Sequence, residues 1–302
     1  ANVGDMANTG VEVELRATPI KKKNFEWNIY MNFTTYKNKI TYLPEERKTM
    51  EVDGVKGFSS GSYFYGEGKP IYTLHMKDYA GVDPETGESM WWKDITEQRG
   101  TGEYGEDGKE IMETVVTGRE KTANYSEASR YLQEDTMPDL YGGFSTSISL
   151  FGFDASISFT YQLGGLVYDS GYANFMGSPY GSFVGSNFHK DLLNAWTPEN
   201  PNSDIPRLQY GGDDQYVGSM SDRFLTSASY LNIQNINVGY TLPRNFTKSF
   251  GVESLRIYLA ADNVAYWSKR RGLDPRYSFT GSTNYANYSP IRTISGGINI
   301  VF

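Results

Sequence analysis

Seven long stretches of period-two hydrophobicity, connections that alternate between short and long, and a wealth of tyrosine and glycine predict an all-β chain. The fold class is an antiparallel transmembrane β-barrel segment with long loops at one end. The 302 residues include 24 tyrosines and 32 glycines. Tyrosine favours strands and suits a water–lipid boundary. Hydrophobic residues make up 38%; with glycine counted, the apolar share is about half, as in chains that fold.

The first strand is expected near 9–17, where Val11, Val13 and Leu15 oppose Glu12, Glu14 and Arg16. In the second, 25–42, Phe25, Trp27, Ile29, Met31 and Phe33 oppose Glu26, Asn28, Tyr30, Asn32 and Thr34. The third, 139–150, sets Phe144, Ile148 and Leu150 against Ser145, Ser147 and Ser149. The fourth, 153–164, is the most regular. Phe153, Ala155, Ile157, Phe159, Tyr161 and Leu163 fall on one face, and Asp154, Ser156, Ser158, Thr160 and Gln162 on the other. In the fifth, 228–242, Ile236, Val238, Tyr240 and Leu242 oppose Asn235, Asn237, Gly239 and Thr241. Its phase breaks upstream, because Leu231 and Ile233 share a parity with Asn235. A bulge, or a strand top above the apolar band, explains such a break. The sixth, 254–268, sets Leu255, Ile257 and Leu259 against Arg256, Tyr258 and Asp262. The seventh, 290–302, sets Ile294, Ile298, Ile300 and Phe302 against Thr293, Ser295, Gly297 and Asn299.

Most of these strands have about 9–15 residues, and a tilted strand crosses a bilayer in about 9–11. Short links fall near 18–24, 151–152 and 243–253, and long ones near 43–138, 165–227 and 269–289. Short turns at one end and long loops at the other are the pattern of outer-membrane barrels. No apolar run reaches the ~18 residues of a membrane-crossing helix. A half-buried strand of a soluble sheet shows the same alternation. A soluble secreted carbohydrate-binding module is therefore the alternative, and a glycoside hydrolase on a β scaffold is a third reading.

The long links carry signals of their own. Ile71–Val82 and Glu88–Ile95 flank Asp83-Pro84-Glu85-Thr86-Gly87, which predicts a loop hairpin. Asn187 is expected to cap a short helix running to Trp196 and stopped by Pro198. Segment 100–110 reads as a mobile loop tip.

Several chemistries are disfavoured. The net charge is −8, and the longest basic run is Lys21-Lys22-Lys23, so no nucleic-acid partner is expected. Cysteine is absent, which excludes disulfides and thiolate metal sites. His75 and His189 lie far apart in sequence, so neither a zinc site nor a catalytic triad is expected. Oxygen ligands alternate in Asp83–Glu88, but the remaining calcium-loop spacing is missing and a plain turn fits better. Asp213-Asp214 reads as solvated. The expectation is no catalytic residue, no metal and no cofactor. Tyr63, Phe64, Tyr65, Trp91 and Trp92 are the candidate ligand- or partner-contacting residues, through stacking on sugar rings or packing on a partner. The opposing reading is that they form the loops' own small cores.

Ser254-Leu-Arg-Ile-Tyr-Leu-Ala-Ala-Asp-Asn-Val264, Gly272-Leu-Asp-Pro275, Pro290-Ile-Arg-Thr293 and Gly297-Ile-Asn-Ile-Val-Phe302 together resemble the C-terminus of SusC/RagA-type TonB-dependent transporters. Gly10-Val-Glu-Val-Glu-Leu15, Ala80-Gly-Val-Asp-Pro-Glu-Thr-Gly87, Trp196-Thr-Pro-Glu-Asn200, Ser229-Tyr-Leu231 and Gly239-Tyr-Thr-Leu-Pro243 resemble the same family in the same order. The resemblance covers nearly all of 1–302. It implies the C-terminal part of a 22-stranded barrel in the outer membrane of a Gram-negative bacterium. It also implies a plug that this chain does not contain, a SusD-like surface lipoprotein as lid, and TonB acting through the missing N-terminal region. The implied cargo is oligosaccharide first and oligopeptide second. Ile298, Ile300 and Phe302 resemble the terminal signal read by the barrel-assembly machinery. Seven strands in lipid would leave two unpaired edges, at several kcal/mol for each lost backbone partner. The chain is therefore expected to need the remaining part of the same barrel.

Overall fold

The computed structural model describes residues 4–105, 108–177, 185–208, 217–277, 280–281 and 289–302. Strands β1 (Asp5–Lys22) and β2 (Phe25–Tyr42) form a hairpin. The first long connection carries β3 (Met50–Val52), β4 (Val55–Ser60), β5 (Tyr63–Gly66) and β6 (Thr73–Lys77). It continues through β7 (Tyr79–Val82), β8 (Ser89–Tyr104), β9 (Glu110–Thr122) and β10 (Arg130–Asp135). A second hairpin follows, β11 (Leu140–Leu150) and β12 (Phe153–Leu163). The next connection holds β13 (Leu166–Tyr168), helix α1 (Ser170–Phe175) and β14 (Leu225–Ser227). The chain then runs through β15 (Tyr230–Thr241), helical turn α2 (Arg244–Thr247), β16 (Ser254–Ser268) and β17 (Thr293–Val301).

All seven expected wall strands are present. They form one antiparallel sheet in the order β1-β2-β11-β12-β15-β16-β17, so each strand pairs with its neighbour along the wall. The register turns period-two alternation into rows that cross the whole sheet. Leu15, Met31, Phe144, Phe159, Ile233 and Ala265 are successive cross-strand partners on one side. Arg16, Tyr30, Ser145, Ser158, Asn235 and Asp262 form the adjacent row on the other. One side of the wall is therefore apolar and the other polar over its full width. Val13, Leu15, Ile148, Leu259 and Ile298 on the apolar side are between 40% and 65% exposed, so none of the described residues covers them. From Phe153 to Leu163 the apolar run is about 33 Å long at ~3.3 Å per residue. At the roughly 40° tilt of membrane barrels it spans about 25 Å, the height of a lipid-facing band.

Two irregularities keep the faces in phase. On β15 the pairing steps from Ile233 to Asn235 while β12 steps only from Phe159 to Ser158, so Gln234 is the extra residue. This is the expected bulge. It lets Ile233 face the apolar side and Asn235 the polar side despite their shared parity. β16 absorbs the kink with a further residue between Asp262 and Ala265, where Asn263 takes φ 49°. The second irregularity was not expected. β1 runs from Asp5 to Lys22, well beyond 9–17, and the turn is only Lys23-Asn24. A bulge between Ala17 and Ile20 makes the extension possible. Pro19 lies inside it, where its missing N–H costs no ladder bond.

The long connections hold more strand than expected. The hairpin across Asp83–Gly87 is present as β7–β8, with the Asp83 carboxylate accepting from the N–H groups of Glu85 and Thr86. The upstream half of the expected arm, β6, instead pairs with β5 and β10 in a separate five-stranded sheet. Segment 100–110 is the far end of the β8–β9 hairpin, with β8 reaching Tyr104 and β9 starting at Glu110; residues 106–107 are outside the described ones. Asn187 does not cap a helix. The helical turn is a 3-10 turn, Lys190–Asn194, and its cap is His189, whose Nδ1 accepts from Asp191 N–H. Asp213-Asp214 lies outside the described residues.

Candidate functional site

The side of the wall on which the loops sit follows from burial at the long-loop end of β2. Asn38 and Ile40, on the polar parity, are 8% and 6% exposed, whereas Lys37 and Lys39, which alternate with them, are exposed. The Asn38 amide oxygen accepts from Ile71 N–H at 2.8 Å, and Lys69 O accepts from Ile40 N–H at 2.9 Å. The first long connection thus folds over the polar side, as a loop does when that side lines a barrel interior.

The three long connections interlock above this face. A shared core brings Leu74 and Met76 of the first against Tyr168, Met176, Leu192 and Phe224 of the second. Trp196 Nε1 donates to Pro84 O (3.1 Å), and Arg207 donates to Thr86 O (2.8 Å) and Glu88 (2.9 Å). Gly87 is obligatory at this joint: its φ is +76°, and a Cβ there would stand 2.4 Å from the Trp196 ring. The third connection joins through Arg270 to Asp169 (2.8 Å), Tyr168 N–H to Gly281 O (2.6 Å), and the Tyr63 hydroxyl to Thr280 O.

This block decides the fate of the loop aromatics. Phe64 is fully buried and Trp91 is 2% exposed, so neither reaches a ligand; both serve the loops' own cores. Trp91 packs edge-on against Tyr79 and Tyr125. Tyr63 is half-buried and tied to Thr280. Tyr65, stacked on Phe58 at 4.9 Å, and Trp92, with Lys121 Nζ 5.6 Å from its ring, remain partly exposed. The five residues are not brought to one surface.

The joint between the first and second connections weakens as pH rises. Asp222 accepts from Tyr79 N–H at 2.6 Å. Burial, with Asp78 nearby, pushes its carboxyl up to about 6. Burial also raises Asp78, against a lowering hydrogen bond from Gln133. A raised carboxyl binds protons more readily in the folded block than in the opened one. Its contribution to stability is therefore full below the ordinary value of 3.8 and is lost as pH rises through about 6. Hydrogen-exchange protection around Tyr79, corrected for intrinsic rates, is expected to fall between about pH 4 and about pH 6 and then level off, and Asp222→Asn is expected to remove that dependence.

Below the block, the polar side forms a groove of about 550 Å³ lined by Tyr30, Asn32, Thr34, Tyr141, Thr160 and Tyr230. Gly143 is part of its floor. It sits between Asn32 and Thr160 in register, and its N–H donates to the Asn32 side chain at 2.7 Å. Most of the lining carries hydroxyl, amide or phenol groups, with Phe144 and Phe159 beside them; Glu12 is the one charged residue. Several charges elsewhere on this face are paired, and Asp262 accepts from the Asn235 amide at 2.7 Å. Arg16 pairs with Glu14 at 2.5 Å, Lys21 with Glu26 at 3.4 Å, and Arg256 with Asp154 at 2.5 Å. Arg16 also lies over the Tyr30 ring, 5.3 Å from its centroid. Sequence patterning had Tyr30, Asn32 and Thr34 on a polar face but not the groove, which needs the register of three strands.

No family model matches the chain. It is similar over its whole length to the TonB-dependent receptor P3 of Formosa agariphila, at 25% identity, and spans 29% of that protein. It is 24% identical, over 91% of its residues, to the TonB-dependent receptor SusC of Bacteroides thetaiotaomicron, and covers 24% of it. Among solved structures, the RagAB peptide transporter superposes with a TM-score of 0.73 at 26% identity, covering 99% of this chain and 30% of that one. The chain is a homologue of SusC/RagA-type TonB-dependent receptors. The SusC/RagA homologue spans under a third of the length of these relatives, and its seven-stranded sheet is a stretch of RagA-like barrel wall.

Proposed function

We propose that the SusC/RagA homologue forms part of the wall and outer mouth of an outer-membrane nutrient importer of a Gram-negative bacterium. Oligosaccharide is the leading cargo, with oligopeptide second. A SusD-like lipoprotein acts as lid, and TonB drives import through the rest of the protein. The observation that carries this reading is the two-faced sheet: apolar and uncovered on one side, polar and roofed by the loop block on the other. An apolar face of this extent would be an aggregation surface in water, which disfavours the soluble carbohydrate-binding module. Edge strands β1 and β17 each pair on one side only among the described residues. In lipid such edges cost several kcal/mol per unpaired group, so further strands must complete the wall.

The groove favours oligosaccharide. Phenol rings and neutral hydroxyl or amide groups match the apolar faces and hydroxyls of sugar rings, whereas a peptide's charged termini would find only Glu12. Tyr30→Ala and Tyr141→Ala in the full-length transporter are each expected to weaken oligosaccharide binding by about 0.5–1.5 kcal/mol, roughly two- to tenfold in Kd. Titration calorimetry with neutral oligosaccharides and with peptides checks this; unchanged sugar affinity alongside weakened peptide binding would reverse the order of cargoes. The peptide reading is supported by the likeness to the RagAB peptide transporter. Co-purification of a lipoprotein with the full-length protein tests the lid.

Ile298 and Ile300 lie on the apolar side, paired with Ile257 and Leu255, and Phe302 is 87% exposed at the same parity. We propose that these three form the assembly signal. Deleting Phe302 from the full-length protein is expected to lower its outer-membrane level several-fold, read by membrane fractionation.

A further inference from the structure

The three short connections lie side by side along one rim of the wall. Phe151 N–H donates to Asn24 O (3.1 Å), Thr241 N–H to Gly152 O (2.8 Å), and Glu253 N–H to Val301 O (2.8 Å). Two of them reverse the chain within two residues. The third, from Pro243 to Glu253, folds into a helical corner: α2 continues as a 3-10 turn, Lys248–Phe250, stopped by Gly251 at φ 73°.

The corner is firmly held. Thr247 is 2% exposed, Val252 N–H donates to Thr247 O (3.2 Å), and Arg244 pairs with Glu253 at 3.0 Å. Yet Phe246 and Phe250, one helical turn apart and packed edge to face at 5.3 Å, are 56% and 69% exposed. An ordered backbone that presents two phenyl rings outward lacks an apolar phase to receive them. The apolar side of the wall reaches the corner through Leu242, whose N–H donates to Leu255 O at 2.9 Å. The exposed cations here are Lys248 on the corner and Lys22 and Lys23 on the first turn, while the carboxylate of Glu253 is taken by Arg244.

We propose that the Arg244–Phe250 corner is an interfacial anchor. Phe246 and Phe250 sit in the headgroup–acyl boundary of the periplasmic leaflet, and Lys248, with Lys22 and Lys23, contacts phospholipid phosphates. The occupant is lipid because the corner continues the lipid-facing band and its excess charge is positive, which matches anionic headgroups. The proposal rests on the reading of the wall as membrane-spanning.

The chain contains no cysteine, so single spin labels can be placed in the full-length transporter with any cysteine elsewhere removed. Labels at Phe246→Cys, Phe250→Cys, Val238→Cys on the apolar band and Asn24→Cys in the first turn would be compared in phosphatidylcholine–phosphatidylglycerol vesicles. Collision with oxygen reports lipid, and collision with a nickel chelate reports water. Labels at 246 and 250 are expected to favour oxygen, as at 238, while the label at 24 favours nickel. If 238 reads lipid and both 246 and 250 read water, the anchor is overturned. If 238 itself reads water, the membrane reading of the wall fails instead. In phosphatidylcholine alone, or with Lys248→Glu, the label at 250 is expected to move toward water; an unchanged depth overturns the phosphate contact.

Discussion

Arginine in place of Ile157 is expected to destabilise the assembled wall by about 2–4 kcal/mol, the cost of a cation at the midplane of a bilayer. Ile157 lies in the middle of the apolar run of β12, with Thr146 and Ile236 as its partners in register. The same change at Ser156, one residue away, is expected to stay within about 0.5 kcal/mol. There the guanidinium would stand on the polar side between Ser147 and Asn237. Denaturant unfolding of the full-length transporter in lipid vesicles reads both values. Equal costs at the two positions would refute a wall with one lipid face and one wet face.

Removing Ser158 is expected to do more damage than any point substitution, and removing Gln234 far less. β12 pairs with β11 in unbroken register from Phe153 to Leu163. Without Ser158, the upper half must turn over, since a one-residue slip exchanges the faces of a strand. Gln162, whose side chain donates to Ala228 O at 3.3 Å, would be driven into lipid. An amide in an apolar phase without partners costs about 4–8 kcal/mol, comparable with the whole stability of many folded proteins. The deletion is expected to abolish the heat-modifiable, assembled form of the transporter. Deleting Gln234 instead removes the extra residue of β15 and leaves Leu231, Ile233, Ile236 and Val238 in one continuous alternation opposite β12, so assembly is expected to survive. Normal assembly without Ser158 would mean that the face assignment of the upper strand is wrong.

The wall was legible because each of its strands borders two different media along most of its length. Phe153–Leu163 repeats one rule for eleven residues, about the length with which a tilted strand crosses a bilayer. The bulge at Gln234 was legible for the same reason, as a break in a long rule. The bulge at Pro19 was not, because β1 ends there in Lys21-Lys22-Lys23, where alternation has already stopped. Inside the first long connection the strands are short, and β6 is buried at Thr73, Leu74, His75 and Met76 in succession, leaving no alternation to read. Two of the five aromatic candidates could have been removed by parity alone. Neighbours on a strand point to opposite sides, so one of Trp91 and Trp92, and one or two of Tyr63, Phe64 and Tyr65, had to turn inward. The groove between Tyr30 and Tyr230 depends on pairings between residues more than a hundred positions apart, which no local pattern encodes.

The loop block has a mechanical consequence. Its roots are the outer ends of β2, β11, β12, β15, β16 and β17, and its cross-ties, Arg207 to Glu88, Asp222 to Tyr79 and Arg270 to Asp169, run between connections that spring from different strand pairs. Such a brace fixes the arc length of this sector of the mouth, much as a tie-bar fixes the span of an arch. Widening here would have to break several cross-ties at once.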